Sequence, residues 1–324
     1  MKKILKKSAV LFLSFVLLFS AVIFPVSADE SDDYSYSILD DGTVKITKYH
    51  GSETDVVIPS EIDGRTVTVI DDYAFFECKT LLSVAIPEGV TSIGNYAFRK
   101  NNSLTNVKIP NSVTDIGEAA FACCNSLTSI TLPEGVKIIR YGAFGECHYL
   151  KNVTIPDSVT NIDDYAFYEC SYLKNITIPN GVTYIGDHSF YRCIKLTSVT
   201  IPDSVTDIRE YAFWGCTNLT NVKIPSSVPD IYDCTFEECD NLTDIIIPDS
   251  VQVISYDPDP GFNVWYDDFE DYETNTDSSA DRATDSSPFP YSEHDHTAGY
   301  ILIGCFAFAD IAAMVFALFH SKKK

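Results

Sequence analysis

Cysteine is the residue type in this chain best equipped to do chemistry, and seven of its ten cysteines keep step with one another. Cys78, Cys124, Cys147, Cys170, Cys193, Cys216 and Cys239 fall on one 23-residue lattice, with Asn101 at the remaining point. Ten cysteines in an exported chain would ordinarily mean disulfides. A column of equivalent residues in stacked coils, however, points every side chain the same way, and a bridge needs two side chains that face each other. The lattice therefore reads as a structural ladder of buried thiols that pack as small hydrophobes. Cys123 and Cys234 lie off it and are the better candidates for reactive or bridging thiols.

Histidine adds little chemistry. His148 follows Cys147, and His188 takes the slot that Tyr165 and Tyr211 hold in neighbouring units, so both read as substitutions within a repeat. The sequence contains no H-E-x-x-H, no G-x-S-x-G and no phosphate-cradling glycine loop. No catalytic residues are expected, and the chain reads as a non-enzyme. Asp257-Pro258-Asp259-Pro260-Gly261 opens like a calcium loop, with Asp268 in the twelfth place. Gly261 sits where the fifth-position ligand belongs and Phe262 where the turn glycine belongs, so the loop fails. His294 and His296 read as part of a solvated acidic tract. No metal and no cofactor is expected.

The elements that position these residues all follow one period. Proline recurs at Pro87, Pro110, Pro133, Pro156, Pro179, Pro202, Pro225 and Pro248, always 23 apart. Phenylalanine keeps the same step from Phe75 to Phe236, and leucine from Leu81 to Leu242. The unit is L-x-x-[VI]-x-[IL]-P-x-[GS]-V-x-x-I-x-x-x-[AST]-F-x-x-C-x-x. In Leu104–Ile109 the apolar residues alternate with polar ones, the period of a half-buried strand. Proline ends the strand because it has no N–H for a ladder bond. The next two residues suit a tight turn. One coil cannot bury its own apolar face, whereas stacked coils can, with strands spaced by about 4.8 Å.

This spacing resembles the Treponema-type, BspA-like branch of leucine-rich repeat proteins over 34–254. The segment Tyr36–Ile46 reads as a hairpin turning at Asp41-Gly42, similar to the cap those proteins carry over their first coil. Gly89, Ser112, Gly135 and Ser158 occupy the place where commoner leucine-rich repeats carry an asparagine ladder. The expected fold is an α/β repeat solenoid of 23-residue coils. It has a parallel β-sheet on one face, short turns or helical turns on the other, and an N-terminal β-hairpin cap. The resemblance implies a surface-displayed adhesion or protein-binding module, with host or neighbouring-cell proteins as ligands.

The two ends differ from the middle. Residues 1–28 read as a signal peptide, with Lys2, Lys3, Lys6 and Lys7, an apolar run and the cleavage-type Val26-Ser27-Ala28. Residues 29–57 form the cap and 58–254 the solenoid. Residues 255–299 carry twelve acidic residues and Arg282, and read as a disordered acidic stalk whose aromatic part, Phe262–Tyr272, folds back as a cap. Residues 300–319 suit a transmembrane helix and 320–324 a basic cytoplasmic tail. Asp310 opposes insertion by about 3 kcal/mol, against roughly 4.5 kcal/mol from the ten Leu, Ile, Phe and Val residues of the run. Covalent cell-wall attachment is disfavoured, because His296-Thr297-Ala298-Gly299 lacks the proline of an L-P-x-T-G-type motif. The chain is thus expected at the cell surface as a single-pass protein with its N-terminal part outside. That part, 29–299, holds 16 basic and 45 acidic residues, a net charge of −29. Such a charge excludes nucleic acid as a partner.

Binding is expected on the open face of the sheet. Its outward residues are Asn106, Lys108, Ser129, Thr131, Asn152, Thr154, Asn175, Thr177, Ser198, Thr200, Asn221 and Lys223, a ribbon of small, mostly neutral side chains. A protein or a glycan is the expected ligand. A second column, Asp72, Glu118, Asp164, Asp187, Glu210 and Asp233, follows the inner isoleucine by two and is expected to be a solvated edge. An envelope component without a specific ligand is the alternative function, and a metal-dependent receptor a weaker one.

Overall fold

A computed structural model describes residues 33–255, where the 23-residue unit closes into a coil with three walls. The first wall is the strand read from the sequence. Asp55–Val57, Ser83–Ala85, Asn106–Lys108, Ser129–Thr131, Asn152–Thr154, Asn175–Thr177, Ser198–Thr200, Asn221–Lys223 and Asp244–Ile246 follow one another in chain order. They pair in parallel within three runs, with equivalent residues of successive coils opposite each other, as Asn175 is to Ser198 and Ser198 to Asn221. The middle residue of each strand points inward: Val84, Val107, Ile130, Ile176, Val199 and Val222 are buried.

Each proline carbonyl then accepts the N–H of the valine three residues on, as Pro156 does from Val159 at 3.1 Å, which closes a four-residue turn. The chain leaves this turn along a second parallel ladder that the alternation pattern does not announce. Its rungs include Ser92–Ile93, Asp115–Ile116, Ile138–Ile139, Asn161–Ile162, Tyr184–Ile185 and Asp207–Ile208. A two-residue strand is too short to display a period of two, so V-x-x-I reads as a turn returning inward although it forms a sheet. The threonine after the valine ties this wall to its neighbour: Thr160 donates to Lys137 O at 3.2 Å and Thr206 to Thr183 O at 3.3 Å.

The third wall corrects the expected helical turns. Among the described residues the sole helical element is a 3₁₀ turn at Asp233–Phe236. In most coils the residues two before and two after the phenylalanine are left-handed, as in Tyr165 (φ 57°) with Glu169 (φ 53°) and His188 (φ 52°) with Arg192 (φ 53°). A left-handed residue every fourth position breaks any α-helix and costs roughly 1 kcal/mol or more for a non-glycine residue. The return is coil-to-coil bonding. Tyr165, Phe167 and Glu169 each donate a backbone N–H to the next coil, to Asp187, Ser189 and Tyr191, all at 2.8 Å.

Inside the three walls the phenylalanines stack. Phe98, Phe121, Phe144, Phe167, Phe190 and Phe213 have ring centroids 5.1–5.7 Å apart and planes within 12° of parallel. An antiparallel hairpin, β1 (Tyr34–Ile38) and β2 (Val44–Tyr49), lies over the first coil and extends the stack, with Tyr49 on Phe75 at 5.0 Å. Its turn uses Gly42 at φ 84°, and Asp41 accepts the N–H of Thr43 at 2.9 Å. The five extra residues of the first coil form a small hairpin of Glu61–Ile62 against Arg65–Ile70, with both turn residues, Asp63 and Gly64, at positive φ. At the far end the stack stops at Phe236, and Ile246, Val253 and Ile254 are exposed.

The signal segment, nearly all of the acidic stalk, the transmembrane run and the basic tail lie outside the described residues. No helix among the described residues is long and apolar enough to cross a membrane.

Candidate functional site

The cysteine lattice proves to be a hydrogen-bonding device. Each ladder thiol from the second on donates to the phenylalanine carbonyl of the preceding coil: Cys147 to Phe121 at 3.1 Å, Cys170 to Phe144 at 3.2 Å, Cys193 to Phe167 at 3.3 Å and Cys216 to Phe190 at 3.3 Å. Asn101 replaces the thiol with an amide that reaches the carbonyls of Phe75 at 2.8 Å and Phe98 at 2.7 Å. Complete burial drives the thiols of Cys124, Cys147, Cys170, Cys193 and Cys216 far above their ordinary range, removing the thiolate that nucleophilic chemistry requires. All nine described cysteines are free. Cys123 and Cys234, singled out by the sequence as the more reactive pair, are themselves buried, and burial pushes their thiols up to about 11 and about 12.

The acidic column is in part structural: Asp72 and Asp233 are exposed, as a solvated edge requires, whereas Glu118, Asp164, Asp187 and Glu210 are half-buried. The Asp72 carboxylate accepts the N–H of Asn95 at 2.7 Å, the Asn95 amide oxygen that of Glu118 at 2.8 Å, and Asp164 that of Asp187 at 2.8 Å. Asp72, Asn95 and Asp164 thus each cap the equivalent N–H of the next coil, which Asp187, with its Oδ1 buried and unbonded, does not. Burial, with Glu210 and Asp164 nearby, pushes the Asp187 carboxyl up to about 7. The adjoining His188 stacks between Tyr165 and Tyr211 at 4.8 and 4.9 Å, and burial pushes its imidazole down to about 4. No group of three metal-binding side chains is gathered among the described residues.

The strand ribbon contrasts with both columns. Asn106, Lys108, Ser129, Thr131, Asn152, Thr154, Asn175, Thr177, Ser198, Thr200, Asn221 and Lys223 are all exposed. Their side-chain bonds are few and peripheral, such as Thr197 to Asn175 at 3.3 Å and Asn221 to Thr220 at 3.1 Å. On the third wall a feature that the sequence does not announce comes together. Tyr168, Tyr191 and Trp214, one residue after each phenylalanine, stack at 5.1 and 4.7 Å, and the Arg192 guanidinium lies 5.6 Å from the Trp214 ring centre. Its signal was three aromatic residues in the same place of three successive units.

Sequence comparison matches residues 49–174 and 137–257 to the family model described as "BspA type Leucine rich repeat region", in six copies. The chain belongs to this family. No curated protein matches it. Among solved structures, the BspA-type chain is 26% identical to the leucine-rich repeat protein of T. pallidum, with a TM-score of 0.41, covering 69% of this chain and 84% of that one. It is 25% identical to a leucine-rich cell surface protein of Faecalibacterium prausnitzii, with a TM-score of 0.34 and coverage of 66% and 93%. A leucine-rich repeat protein of Bacteroides capillosus is 31% identical, with a TM-score of 0.31, over 40% of this chain and 94% of its own.

Proposed function

We propose that this BspA-type repeat protein is a non-enzymatic adhesion or protein-binding module held at the cell surface, and that the strand ribbon is its recognition surface. One observation carries the reading. Most other recurrent positions of the coil have a structural duty, whether thiol ladder, carboxylate cap, threonine tie or ring stack, while the ribbon from Asn106 to Lys223 is exposed and structurally idle. A side-chain column free of structural duty is available for binding, and solenoids present such extended surfaces to their partners. Export through residues 1–28, an acidic spacer at 255–299 and a membrane helix at 300–319 would project it from the cell.

Saturable binding of the purified full-length protein to a protein or glycan of a neighbouring cell is the test. Asn106→Tyr, Asn152→Tyr and Asn175→Tyr together should weaken that binding by about tenfold or more while melting is unchanged. Undiminished binding would remove the ribbon from the reading, and absence of any saturable ligand would favour an envelope component. Mass spectrometry of the cell-associated protein should recover the intact C-terminus Lys322-Lys323-Lys324.

A further inference from the structure

The residues two after each phenylalanine form a column along the third wall: Glu77, Lys100, Cys123, Glu146, Glu169, Arg192, Gly215 and Glu238. All are left-handed there, so glycine is not demanded by the backbone, and Gly215 is the one position in the column without a side chain. A groove of about 390 Å³ lies over it, lined by Glu169, Arg192, Ile194, Trp214, Thr217 and Glu238 among others, with Arg192 Cγ 3.2 Å from where a Cβ on Gly215 would stand. The ring stack Tyr168–Tyr191–Trp214 ends at this groove, because the next coil supplies Glu237 in place of a ring. Arg192 is paired with Glu169 at 3.4 Å on one side of the gap. Glu238, on the other side, is exposed and takes part in no ion pair among the described residues.

We propose that the groove at Gly215 receives a guanidinium or ammonium side chain from a partner protein, which rests against Trp214 and pairs with Glu238. The inference deepens the protein-binding reading and rests on it. The column itself shows the arrangement one coil away, where the Arg192 guanidinium lies beside Trp214 and bonds the Glu169 carboxylate. A cation over Gly215 would meet the same two kinds of group, the Trp214 ring and a carboxylate, with Glu238 one coil further on where Arg192 uses Glu169 one coil back. Guanidinium is the best occupant because it stacks on an aromatic face and bonds a carboxylate in a planar fork. The exported part, at a net charge of −29, favours a cationic partner in the same sense. Trp, Tyr and Arg, the residue types that anchor protein interfaces, gather here and are missing from the strand ribbon.

The chain has two tryptophans, Trp214 and Trp265, so a full-length Trp265→Phe protein reports on the groove through a single indole. Tetra-arginine, tetra-lysine, tetra-glutamate and chitotetraose would be titrated at low salt while indole fluorescence is followed. Tetra-arginine should change the emission saturably, more tightly than tetra-lysine, and added salt should weaken it. Gly215→Arg, filling the slot as Arg192 fills its own, should weaken binding about tenfold or more, and Glu238→Gln severalfold. Thermal melting identifies any variant that fails to fold, and the exposed Glu238→Gln change carries the test in that case. No saturable change with tetra-arginine, equal binding by both variants, or saturation by chitotetraose in its place would overturn the inference. The titration uses no natural partner, so its failure removes the groove alone. The protein-binding reading fails separately, when no saturable ligand exists.

Discussion

The Cys147 thiol donates to the Phe121 carbonyl of the preceding coil at 3.1 Å, so the most regular cysteine column in the chain is a set of coil-to-coil hydrogen bonds. Cys147→Ala removes that bond and leaves a small void in a fully buried position. We expect it to cost about 1–2 kcal/mol, read from denaturant unfolding. Asn101→Cys should act in the opposite sense. The asparagine amide makes two bonds, but its Oδ1 is buried without a partner, a penalty of about 1–3 kcal/mol that a thiol avoids. The expected outcome is equal or higher stability, and clear destabilisation would show that the amide is the better rung.

The same burial fixes reactivity. Cys123, Cys234 and Cys239 are held up to about 11, 12 and 12, and complete burial raises the thiols of Cys124, Cys147, Cys170, Cys193 and Cys216 well above their ordinary range. At pH 8 the native protein should therefore react with a thiol reagent at none of the described cysteines except, slowly, the half-buried Cys78, whose shift is smaller. Unfolding should release the rest. Mass mapping of rapid native labelling at Cys147 or Cys170 would contradict this.

The legibility of the sequence follows from how many residues each feature spans. The period, the first strand and the phenylalanine column repeat in coil after coil, so chance variation at one position cannot hide them. The second ladder was invisible because two residues such as Asn161-Ile162 cannot show alternation. The left-handed residues of the third wall were invisible for another reason. Tyr, Glu and Arg at Tyr165, Glu169 and Arg192 are not residues that favour positive φ, and coil-to-coil hydrogen bonds impose it on them. Asp164 was legible as one of an acidic column but not as a cap, because its acceptor role depends on the N–H of Asp187 a full coil away.

Two neighbouring groups should give the stability opposing pH dependences. His188 is held down to about 4 against an ordinary 6.5, so the unfolded chain takes up a proton first and stability falls as pH drops from about 6.5 to about 4. Asp187 is held up to about 7 against an ordinary 3.8, so the folded chain keeps its proton longer and stability falls as pH rises from about 4 to about 7. His188→Tyr places in the slot the residue that Tyr165 and Tyr211 already supply and removes only the first dependence. The variant should gain stability relative to the parent at pH 4.5 and show no such gain at pH 7.5. A constant difference across that range would mean that the imidazole is not held neutral in the fold.

Asp164 separates its two roles by substitution. Its carboxylate accepts the Asp187 N–H at 2.8 Å and the Tyr184 hydroxyl at 3.1 Å, and its charge is one of the causes that raise Asp187. Asp164→Ala leaves the N–H without its acceptor and should cost about 1–3 kcal/mol. Asp164→Asn keeps an acceptor in place, as Asn95 does for Glu118 at 2.8 Å, and should cost less. It also removes a negative charge beside Asp187, so the Asp187 carboxyl should titrate lower and the loss of stability between about pH 4 and pH 7 should shrink. Urea unfolding of both variants at pH 5 and pH 8 distinguishes the roles. Equal losses for Ala and Asn, unchanged with pH, would show that neither the cap nor the charge contributes.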